Sequence, residues 1–401
     1  MKAKKKKIGY VVSLFPCWSE TFILNEIIEL SKAGYDITIF SIRNDLEKYT
    51  QEKAKPYLAR THYIKVGRMV LSYFRWLLRK PGVLLSWTLK VLSASLGNVR
   101  IFHKNVWCVL VAAYFADLAR DEELKHLHAH FATYPALVAT VMSKLTGIDY
   151  TLTTHAHDIF LDKTLLREKI GAAKAVATIS QYNRRYLAEH CGEDILPKIH
   201  IVHCGLDLSE WDYQPHPNGH HPPSIVCVGR LTQMKGFENL IHALNLIKNE
   251  QDFRCHIVGD GDLRPRFEQL IAEYGLEGRV VLEGVLDSAE VRKRIKEAHI
   301  FAVPSVWDDA DGQDGIPLVL MEALAVGTPA VASRISGIPE LVIDGQTGLL
   351  AEPGDVDVLA DKIRHLLSDK DLRARLATRG RERIEREFDI AKNARQLAKL
   401  F

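Results

Sequence analysis

The sequence is poor in cysteine and has no long hydrophobic run. Six cysteines are spread over 401 residues, and no two form a Cys-x-x-Cys pair, so neither a disulfide framework nor a zinc ribbon is predicted. We therefore expect reduced thiols and a cytoplasmic protein. The most apolar long segment, residues 81–99, contains Lys90 and Gly97 and matches poorly the roughly 20 predominantly apolar residues that span a membrane. The basic N-terminus before Ile8 lacks the cleavage site of a signal peptide and is predicted to lead into a strand.

Acidic residues are absent from one long stretch, although the net charge is only +3 and does not indicate nucleic-acid binding. Lys53–Ala116 contains eleven Lys or Arg and no Asp or Glu. Within it Val70, Tyr73, Phe74 and Leu77 recur at helical spacing. Such a helix is typical of an element that lies on a membrane, or of a core-facing helix with a solvated basic rim. Because the stretch has no acid, we favour binding to an anionic membrane surface.

Strand-like and helix-like segments alternate along most of the chain. Repeated β–α–β units predict parallel sheets covered by helices on both faces, the doubly wound α/β class. Thr133 and Ser180 are predicted to cap helices, and the polar, Pro- and His-rich stretch 206–223 is interpreted as a linker between two such domains. Functional side chains are expected directly after strands, where open α/β sheets bind ligands. The predicted strands are 7–13, 36–42, 126–131, 150–154, 175–179, 199–202, 224–228, 254–258, 280–283 and 300–303.

A glycine-flanked loop with two cations follows a strand of the second half. Gly229 and Arg230 begin this loop, and Lys235 and Gly236 end it before a helix predicted over Phe237–Ile247. Arg can hold a phosphate group through two hydrogen bonds, and Lys acts on it as a point charge. The loop therefore fits a diphosphate, and an ordinary strand-to-helix loop with solvated cations is the alternative.

Two carboxylates eight residues apart enclose the start of another predicted helix. Asp314 begins this run and Glu322 ends it. Amide hydrogens at a helix start favour an anion, and Glu322 could bind a ribose diol; a capped amphipathic helix is the alternative. The helix-start residues are Gly315, Ile316 and Pro317.

Gly259, in V-G-D-G-D after a neighbouring strand, permits close backbone approach to a ligand or simply forms a tight turn.

Histidines follow one predicted strand of the first half and lie within another. His155 and His157, in T-H-A-H-D, come after a strand, where a histidine could donate a hydrogen bond to a sugar hydroxyl or orient a substrate; spacing does not separate the two. With His126, His128 and His130 they could instead hold a metal ion. No metal is predicted, because the motifs come from different strands and lack the H-E-x-x-H helix context. The acidic loop with Asp308, Asp309 and Asp311 is likewise interpreted as solvated.

In combination, these motifs resemble the retaining glycosyltransferases of family 4, which have the GT-B fold. G-R-L-x-x-x-K-G, V-G-D-G and carboxylate-x7-Glu carry the resemblance along essentially the whole second half. The first half matches more narrowly, through Phe15–Ile23, His128–Phe131 and Thr154–Asp158. Those segments are similar to the bacterial exopolysaccharide branch, such as colanic acid glycosyltransferases.

The resemblance implies a role for each motif. Arg230 and Lys235 would hold the donor diphosphate, and Glu322 the ribose. Asp314 stands where the family usually has Glu and would contact the hydroxyls of the donor sugar. His155 matches the family's active-site histidine near the donor sugar. The implied catalytic set is His155, Arg230, Lys235 and Asp314. Further implied donor-binding residues are Gly229, Gly259, Gly315, Ile316 and Pro317, with Gly284 and Val285 meeting the base through backbone atoms. The implied acceptor side includes Ser19, Glu20, Thr21, His130 and His157.

The resemblance also implies the reaction. A sugar would pass with retention, without a metal ion or cofactor, from a UDP-sugar or GDP-sugar to a lipid-diphosphate-linked oligosaccharide, with the enzyme peripheral at the inner membrane face. Two other functions stay open: a non-hydrolysing nucleotide-sugar epimerase, and a non-catalytic nucleotide-sugar-binding module, which the intact Arg, Lys, Asp and Glu set disfavours. The implied GT-B domains are 1–205 on the acceptor side, the linker 206–223, 224–385 on the donor side, and 386–401, where a helix over Ile390–Leu400 crosses back.

Overall fold

The computed structural model describes residues 6–17, 20–44, 52–94, 99–214, 222–310 and 312–401. The chain forms two compact units, each built on one parallel sheet. Unit 1 comprises Met1–His203 with Ile390–Phe401, and unit 2 comprises Cys204–Asp389. The predicted α/β class with two parallel sheets is therefore confirmed.

Unit 1 contains seven parallel strands. They are β1 (Lys7–Leu14), β2 (Asp36–Arg43), β3 (Thr61–Tyr63), β4 (His126–His130), β5 (Tyr150–Thr154), β6 (Ala175–Thr178) and β7 (Ile199–Ile201). Their order across the sheet is β3-β2-β1-β4-β5-β6-β7, so the order reverses between β1 and β4, the kind of switch point at which open α/β sheets bind ligands. The helices are α1 (Thr21–Lys32), α2 (Lys55–Leu58), α3 (Val66–Arg79), α4 (Pro81–Ala94), α5 (Val99–Asp121), α6 (Tyr134–Thr146), α7 (His157–Phe160), α8 (Leu166–Ala172) and α9 (Gln181–Cys191).

Unit 2 contains six parallel strands. They are β8 (Ser224–Val228), β9 (Arg254–Val258), β10 (Val280–Gly284), β11 (Ile300–Val303), β12 (Ala330–Ser333) and β13 (Leu349–Ala351). Their order is β10-β9-β8-β11-β12-β13, with the reversal between β8 and β11. The helices are α10 (Phe237–Ile247), α11 (Arg264–Glu273), α12 (Ser288–Glu297), α13 (Leu318–Val326), α14 (Ile338–Leu341), α15 (Val356–Ser368) and α16 (Lys370–Glu387).

Burial and capping explain why these segments form regular structure. β4, β5, β11 and β12 are buried along their whole length, as expected for strands covered on both faces. Ser180 caps α9 as predicted, because its Oγ accepts from the Asn183 N–H at 3.0 Å. Thr133 occupies the capping position of α6, but its side chain makes no capping hydrogen bond. That prediction was wrong because the Thr133 backbone, with ψ −125°, lies outside the extended region from which a side chain reaches the first turn.

The acid-free basic stretch contributes α3, α4 and the first part of α5. α3 packs against α5 and buries Met69, Ser72 and Trp76. Of the four residues that the sequence pattern marked, Val70 is 43% and Phe74 57% exposed, whereas Tyr73 and Leu77 are half-buried and pack against the core of unit 1. The core-facing alternative therefore holds for Tyr73 and Leu77, and Val70 and Phe74 face outward.

The segments at the two ends of unit 2 have defined partners. Leu206 N–H donates to the Phe388 carbonyl at 2.8 Å, and Trp211 is buried, so the first part of the predicted linker packs within unit 2. Residues 215–221 of that linker lie outside the described residues. The C-terminal helix α17 (Ile390–Leu397) packs on α1 within unit 1. Among the helices that the structure describes, none combines the length and the apolar character of a membrane span.

Candidate active site

In unit 2, the loops after β8 and β11 meet at the switch point of the sheet. The loop after β8 passes through a short 3₁₀ turn, Gln233–Lys235, and Val306 N–H from the other loop donates to the Met234 carbonyl at 2.9 Å. Gly236 follows the turn with φ +64°, and a side chain there would overlap the Pro304 carbonyl oxygen. A glycine is therefore needed for the two loops to approach each other.

Lys235 and Asp314 are paired at this point although they lie far apart in the sequence. Lys235 Nζ is 2.7 Å from Asp314 Oδ1, and Ser305 Oγ donates to Asp314 Oδ2 at 2.5 Å. Gly229 leaves room for the lysine stem, because a Cβ there would lie 3.3 Å from Lys235 Cδ and Cε. Arg230 is exposed and forms no ion pair with any residue that the structure describes. The two predicted cations thus share one loop, with one of them paired and the other accessible to an anion.

Glycines also bring the carboxyl ends of β8, β9 and β10 together. Gly229 N–H donates to the Val258 carbonyl at 2.9 Å, and Gly259 N–H donates to the Gly284 carbonyl at 2.8 Å. Gly259 has φ +133°, and a Cβ there would overlap the Gly229 carbonyl oxygen. Val285, directly after Gly284, is exposed. The predicted donor-binding positions 229, 259, 284 and 285 therefore lie along one edge of the sheet.

Glu322 lies in the second turn of α13, which Pro317 precedes. Burial raises the pKa of Glu322 to about 7, and the charge of Arg292 opposes this shift. Arg292 is held in turn by the Glu210 carbonyl at 2.9 Å and lies over the Trp211 ring. Glu322 is therefore a largely but not fully buried carboxyl group that is partly protonated at neutral pH.

The loop between β11 and α13 carries the remaining predicted residues of unit 2. Gly315 is half-buried, and Ile316 is buried in the core, so the Ile316 side chain serves packing and only its backbone can meet a ligand. Asp308 and Asp309 accept hydrogen bonds from within their own turn, which agrees with a solvated loop. Asp311 lies outside the described residues.

In unit 1, side chains from β1, α1, β4 and the loop after β5 form one buried hydrogen-bonded chain. Tyr10 Oη donates to Glu26 Oε1 at 2.8 Å, and the same oxygen lies 2.9 Å from His130 Nε2. His130 Nδ1 lies 3.2 Å from His155 Nε2. Burial lowers the pKa of His155 well below its usual value, so this imidazole is uncharged at neutral pH.

His155 is held through its backbone as well as its ring. Its N–H donates to Asp158 Oδ1 at 3.0 Å, and its carbonyl accepts from Asn183 Nδ2. The imidazole lies close to the rings of Phe22 and Phe131, with centroids 4.8 and 4.7 Å away. The side chain therefore has little freedom to change its orientation.

Asp158 is a structural member of this site that the sequence patterns did not identify. Its second carboxylate oxygen accepts from the Ala132 N–H at 2.7 Å, so it joins the loop after β4 to the loop that carries His155. Burial raises the pKa of Asp158 to about 6. An aspartate three residues after His155 in T-H-A-H-D is at a spacing from which its carboxylate can accept from an earlier backbone N–H, and this was the available signal. His157, by contrast, is exposed at the start of α7.

Three of the predicted acceptor-side residues, Ser19, Glu20 and Thr21, are consecutive in the sequence where α1 begins. Ser19 is outside the described residues, and Thr21 is the first residue of the helix. Burial raises the pKa of Glu20 to about 7, against the charges of His130 and Arg43. Glu20 Oε2 is buried and has no hydrogen-bond partner in the part of the chain that the structure describes. Glu20 therefore belongs to the same polar cluster as His130.

Glu26, His128 and His130 are the described residues closest to a metal-binding set, since one ligand atom from each lies within 4.8 Å of the others. Both ring nitrogens of His128 already have partners: Nδ1 and Nε2 lie 2.8 and 3.1 Å from the hydroxyls of Thr151 and Thr153. Burial lowers the pKa of His128 well below its usual value, so it stays neutral. The hydrogen bonds account for this arrangement, and the predicted metal independence stays a prediction.

Two family models match consecutive parts of the chain. The model described as Glycosyltransferase Family 4 matches residues 19–210, and the model described as Glycosyl transferases group 1 matches residues 211–383. The chain belongs to glycosyltransferase family 4. The predicted family is thereby confirmed.

Relatives with named functions match this glycosyltransferase over nearly their whole length. The amylovoran biosynthesis glycosyltransferase AmsK of Erwinia amylovora is 28% identical, with 98% of each chain covered. The putative colanic acid biosynthesis glycosyltransferase WcaL of Escherichia coli is also 28% identical, with 98% of this chain and 99% of that protein covered. These are the bacterial exopolysaccharide relatives that the first-half motifs resemble.

Solved structures confirm the two-domain GT-B fold. A glycosyltransferase from Rickettsia africae superposes with a TM-score of 0.73 at 18% identity, covering 99% of this chain and 97% of that one. HepE of Anabaena, solved in complex with UDP, gives a TM-score of 0.73 at 18% identity, with 98% of each chain covered. A sucrose-phosphate synthase from Thermosynechococcus elongatus gives 0.74 at 21% identity, covering 99% of this chain and 98% of that one.

Proposed function

We propose that this glycosyltransferase transfers a hexose, with retention of configuration, from a UDP-sugar or GDP-sugar to a lipid-diphosphate-linked oligosaccharide in exopolysaccharide biosynthesis. The main support for the donor class is the Lys235–Asp314 pair beside the exposed Arg230, at the strand ends where such sheets bind ligands. HepE, which shares the fold, was solved with UDP and with UDP-glucose. The names of the amylovoran and colanic acid relatives support the exopolysaccharide role.

In this proposal, catalysis rests on stabilising the negative charge of the leaving diphosphate. Arg230 holds a phosphate through two hydrogen bonds, and Lys235 acts as a point charge. Because these two cations supply the positive charge, the reaction needs no metal ion. Asp314 accepts hydrogen bonds from the donor sugar, and Glu322 accepts them from the ribose diol. His155 contacts the donor sugar and orients it.

The exposed face of α3 and α4 supports the proposal that the acceptor is linked to a lipid. This face carries apolar side chains that are unusually accessible, including Leu71 at 59%, Leu78 at 86% and Leu89 at 63%. Lys65, Arg68 and Lys80 are exposed on the same two helices or directly beside them. We propose that this face binds an anionic membrane surface, which would bring the enzyme to a lipid-linked acceptor.

The test is a transfer assay with UDP-glucose, UDP-galactose and GDP-mannose as donors. The acceptor is the lipid-linked oligosaccharide pool extracted from an exopolysaccharide-producing bacterium. We expect release of UDP or GDP that depends on the acceptor and persists in EDTA, and a product with the anomeric configuration of the donor by NMR. Isomerised nucleotide sugar without acceptor would indicate an epimerase, an inverted product would contradict retention, and loss of activity in EDTA that Mg²⁺ or Mn²⁺ restores would contradict metal independence.

Lys235→Ala isolates the contribution of the donor loop. Removing a hydrogen bond to a charged group costs about 1.5–3 kcal/mol, so donor affinity and turnover should each fall roughly ten- to hundredfold. Lys293→Ala is the matched control, because Lys293 is an exposed lysine of α12 with a weak pair at 4.0 Å to Glu297. Equal donor affinity in the two variants would show that Lys235 does not meet the diphosphate.

A further inference from the structure

The buried chain from Tyr10 to His155 has a direction that its chemistry determines. Tyr10 keeps its proton, because burial and the nearby Glu26 charge raise its pKa well above the usual value. It therefore donates to Glu26 Oε1, which as a carboxylate oxygen only accepts. The second contact of that oxygen, to His130 Nε2 at 2.9 Å, then requires a proton on Nε2.

The same reasoning extends to His155. His155 is neutral because burial lowers its pKa. We treat His130 as carrying a single proton, which the contact with Glu26 places on Nε2, so that its Nδ1 accepts. His155 Nε2, 3.2 Å away, must then be the donor. The two ring planes differ by only 23°, which suits a hydrogen bond in the plane of both rings. In this arrangement, each of the three hydrogen bonds described above joins a donor to an acceptor.

We propose that Glu26 and His130 are positioning residues for His155: they hold its imidazole in the tautomer protonated at Nε2 and so present Nδ1 as an acceptor. This inference rests on the role proposed above for His155. It changes the expected chemistry of that residue, because a neutral His155 in this tautomer accepts a hydrogen bond from a sugar hydroxyl through Nδ1 instead of donating one. The assignment fits the general finding that the partner of one ring nitrogen sets the state of the other.

The position of Glu26 explains why a residue on α1 could control a loop after β5. Glu26 is in the middle of α1, and its side chain reaches β1 and β4 through Tyr10 and His130. His130 and His155 are buried, so water is poorly placed to replace either hydrogen bond. Losing Glu26 would therefore free the His130 ring to change tautomer, and His155 would follow.

The first test reads the tautomers directly. NMR of protein labelled with ¹⁵N-histidine reports which ring nitrogen carries the proton, and His130→Phe and His155→Ala assign the signals. We expect Nε2 protonation of both rings in the wild type and in Glu26→Gln, whose amide oxygen still accepts, and loss of that state in Glu26→Ala. A wild-type His155 protonated at Nδ1, or a doubly protonated His130, would overturn the proposal.

The second test measures turnover. Glu26→Ala should lower kcat by between about ten- and hundredfold, the range expected when a reacting group is displaced by about 1 Å, with a smaller change in KM for the donor. Glu26→Gln should recover most of kcat. If Glu26 acts through His155, adding Glu26→Ala to His155→Ala should cause no further loss, since residues that act as a unit are not additive.

The matched control is His126→Gln. His126 is a buried histidine of the same strand as His130, and its ring is hydrogen-bonded to Thr151, which is not part of the hydrogen-bonded series from Tyr10 to His155. His126→Gln should lower the melting temperature without lowering kcat. A loss of kcat in His126→Gln equal to that in Glu26→Ala would show a general packing effect and overturn the proposal. Full additivity of Glu26→Ala with His155→Ala would overturn it as well. If the wild type transfers no sugar from any donor, the proposed function fails, and the ring spectra still decide the tautomer.

Discussion

At the scale of single residues, Glu322 carries a carboxyl group whose environment opposes its charge. Its folded-state pKa of about 7 exceeds the value near 4.3 expected in an unfolded chain, so the folded state binds the proton more tightly. The stabilising contribution of that proton is complete below about pH 4 and is lost as the pH rises through 7. The ionised form of Glu322 thus lowers the stability of the fold, but it is also the stronger hydrogen-bond acceptor in the proposed ribose site.

Glu322→Gln should therefore separate stability from donor binding. At pH 8 the variant should be more stable than the wild type by on the order of 2 kcal/mol, from about 1.4 kcal/mol per pKa unit reduced for partial exposure. At pH 5 the two should be nearly equal in urea unfolding. Affinity for UDP should fall about tenfold, because an amide replaces an ionised acceptor.

Glu273→Gln supplies the control for Glu322→Gln. Glu273 is exposed at the end of α11 in the same unit, so its substitution should change neither the pH dependence of stability nor UDP affinity. A stability gain for Glu322→Gln with unchanged UDP affinity would mean that the carboxyl group serves packing alone.

At the scale of elements, the conformation of the loop between β8 and α10 depends on Gly236, a position that has no room for a side chain. Gly236 has φ +64° and lies against the Pro304 carbonyl oxygen, whereas Gly275 has φ +61° and no atom within 4 Å of a Cβ. Alanine should cost about 1 kcal/mol at Gly275 for the left-handed backbone alone. Gly236→Ala should cost more, because it also pushes the two loops apart.

The displaced loop carries Lys235, so Gly236→Ala should also weaken UDP binding by at least about tenfold, as expected for the loss of a charged contact. Gly275→Ala should bind UDP as the wild type does. Urea unfolding and isothermal titration with UDP measure both effects. Similar stability and affinity for the two variants would show that the loops tolerate separation.

The exposed face of α3 and α4 predicts salt-dependent membrane binding. A cation near an anionic surface contributes about 1 kcal/mol, so changing Lys65, Arg68 and Lys80 to Glu should weaken binding to vesicles containing phosphatidylglycerol at least hundredfold. High salt should weaken binding of the wild type as well, because the screening length falls to about 3 Å at 1 M. Arg75 is left unchanged because it pairs with Asp117 at 2.7 Å and its substitution would disturb the fold.

A charge-matched control lies in unit 2. Changing Lys293, Arg375 and Arg379 to Glu alters the net charge by the same amount at exposed positions of α12 and α16. This variant should co-sediment with the vesicles nearly as the wild type does. Equal loss of binding in both triple variants would indicate a response to net charge, and recovery of the wild type in the supernatant at every salt concentration would mean that the face binds no membrane.

At the scale of the whole molecule, the C-terminal segment Ile390–Phe401 belongs to unit 1, whose other residues are in the N-terminal half of the sequence. Leu397 of α17 is fully buried in the core of unit 1 with Ile27 and Leu30 of α1. Leu397→Ala should destabilise unit 1 by about 3 kcal/mol through lost burial and a residual cavity. Hydrogen exchange should show faster opening of β1 and β2 and unchanged protection in unit 2.

Lys399→Ala is the control, since Lys399 is exposed two residues further on. UDP, which is proposed to bind unit 2, should slow exchange in unit 2 of both variants alike. Faster exchange throughout the chain in Leu397→Ala would show that the two units unfold as one cooperative body.

The sequence by itself determined the repeated β–α–β pattern, most strands and the loops that carry the chemistry. The bounds of α10 agree with the prediction, and Arg230, Lys235, Asp314 and Glu322 lie after strands or in helix starts as expected. These features depend on local periodicity and on glycines next to strands, and such signals lie within about ten residues of one another. The short strands β3, β12 and β13 were missed, although β6, β7 and β11, which are equally short, were predicted, so three or four residues give no dependable strand signal.

Only the tertiary structure decided which side chains meet. Apolar residues lie around most of α3, so docking against α5 decided that Trp76 is buried while Phe74 of the marked pattern is exposed. Ser305 was recognised only through its hydrogen bond to Asp314. The chain from Glu26 through His130 to His155 combines a helix, a strand and a loop that are separate in the sequence. Strand order and helix docking bring such groups together, and those long-range contacts leave no period in the sequence from which they could be predicted.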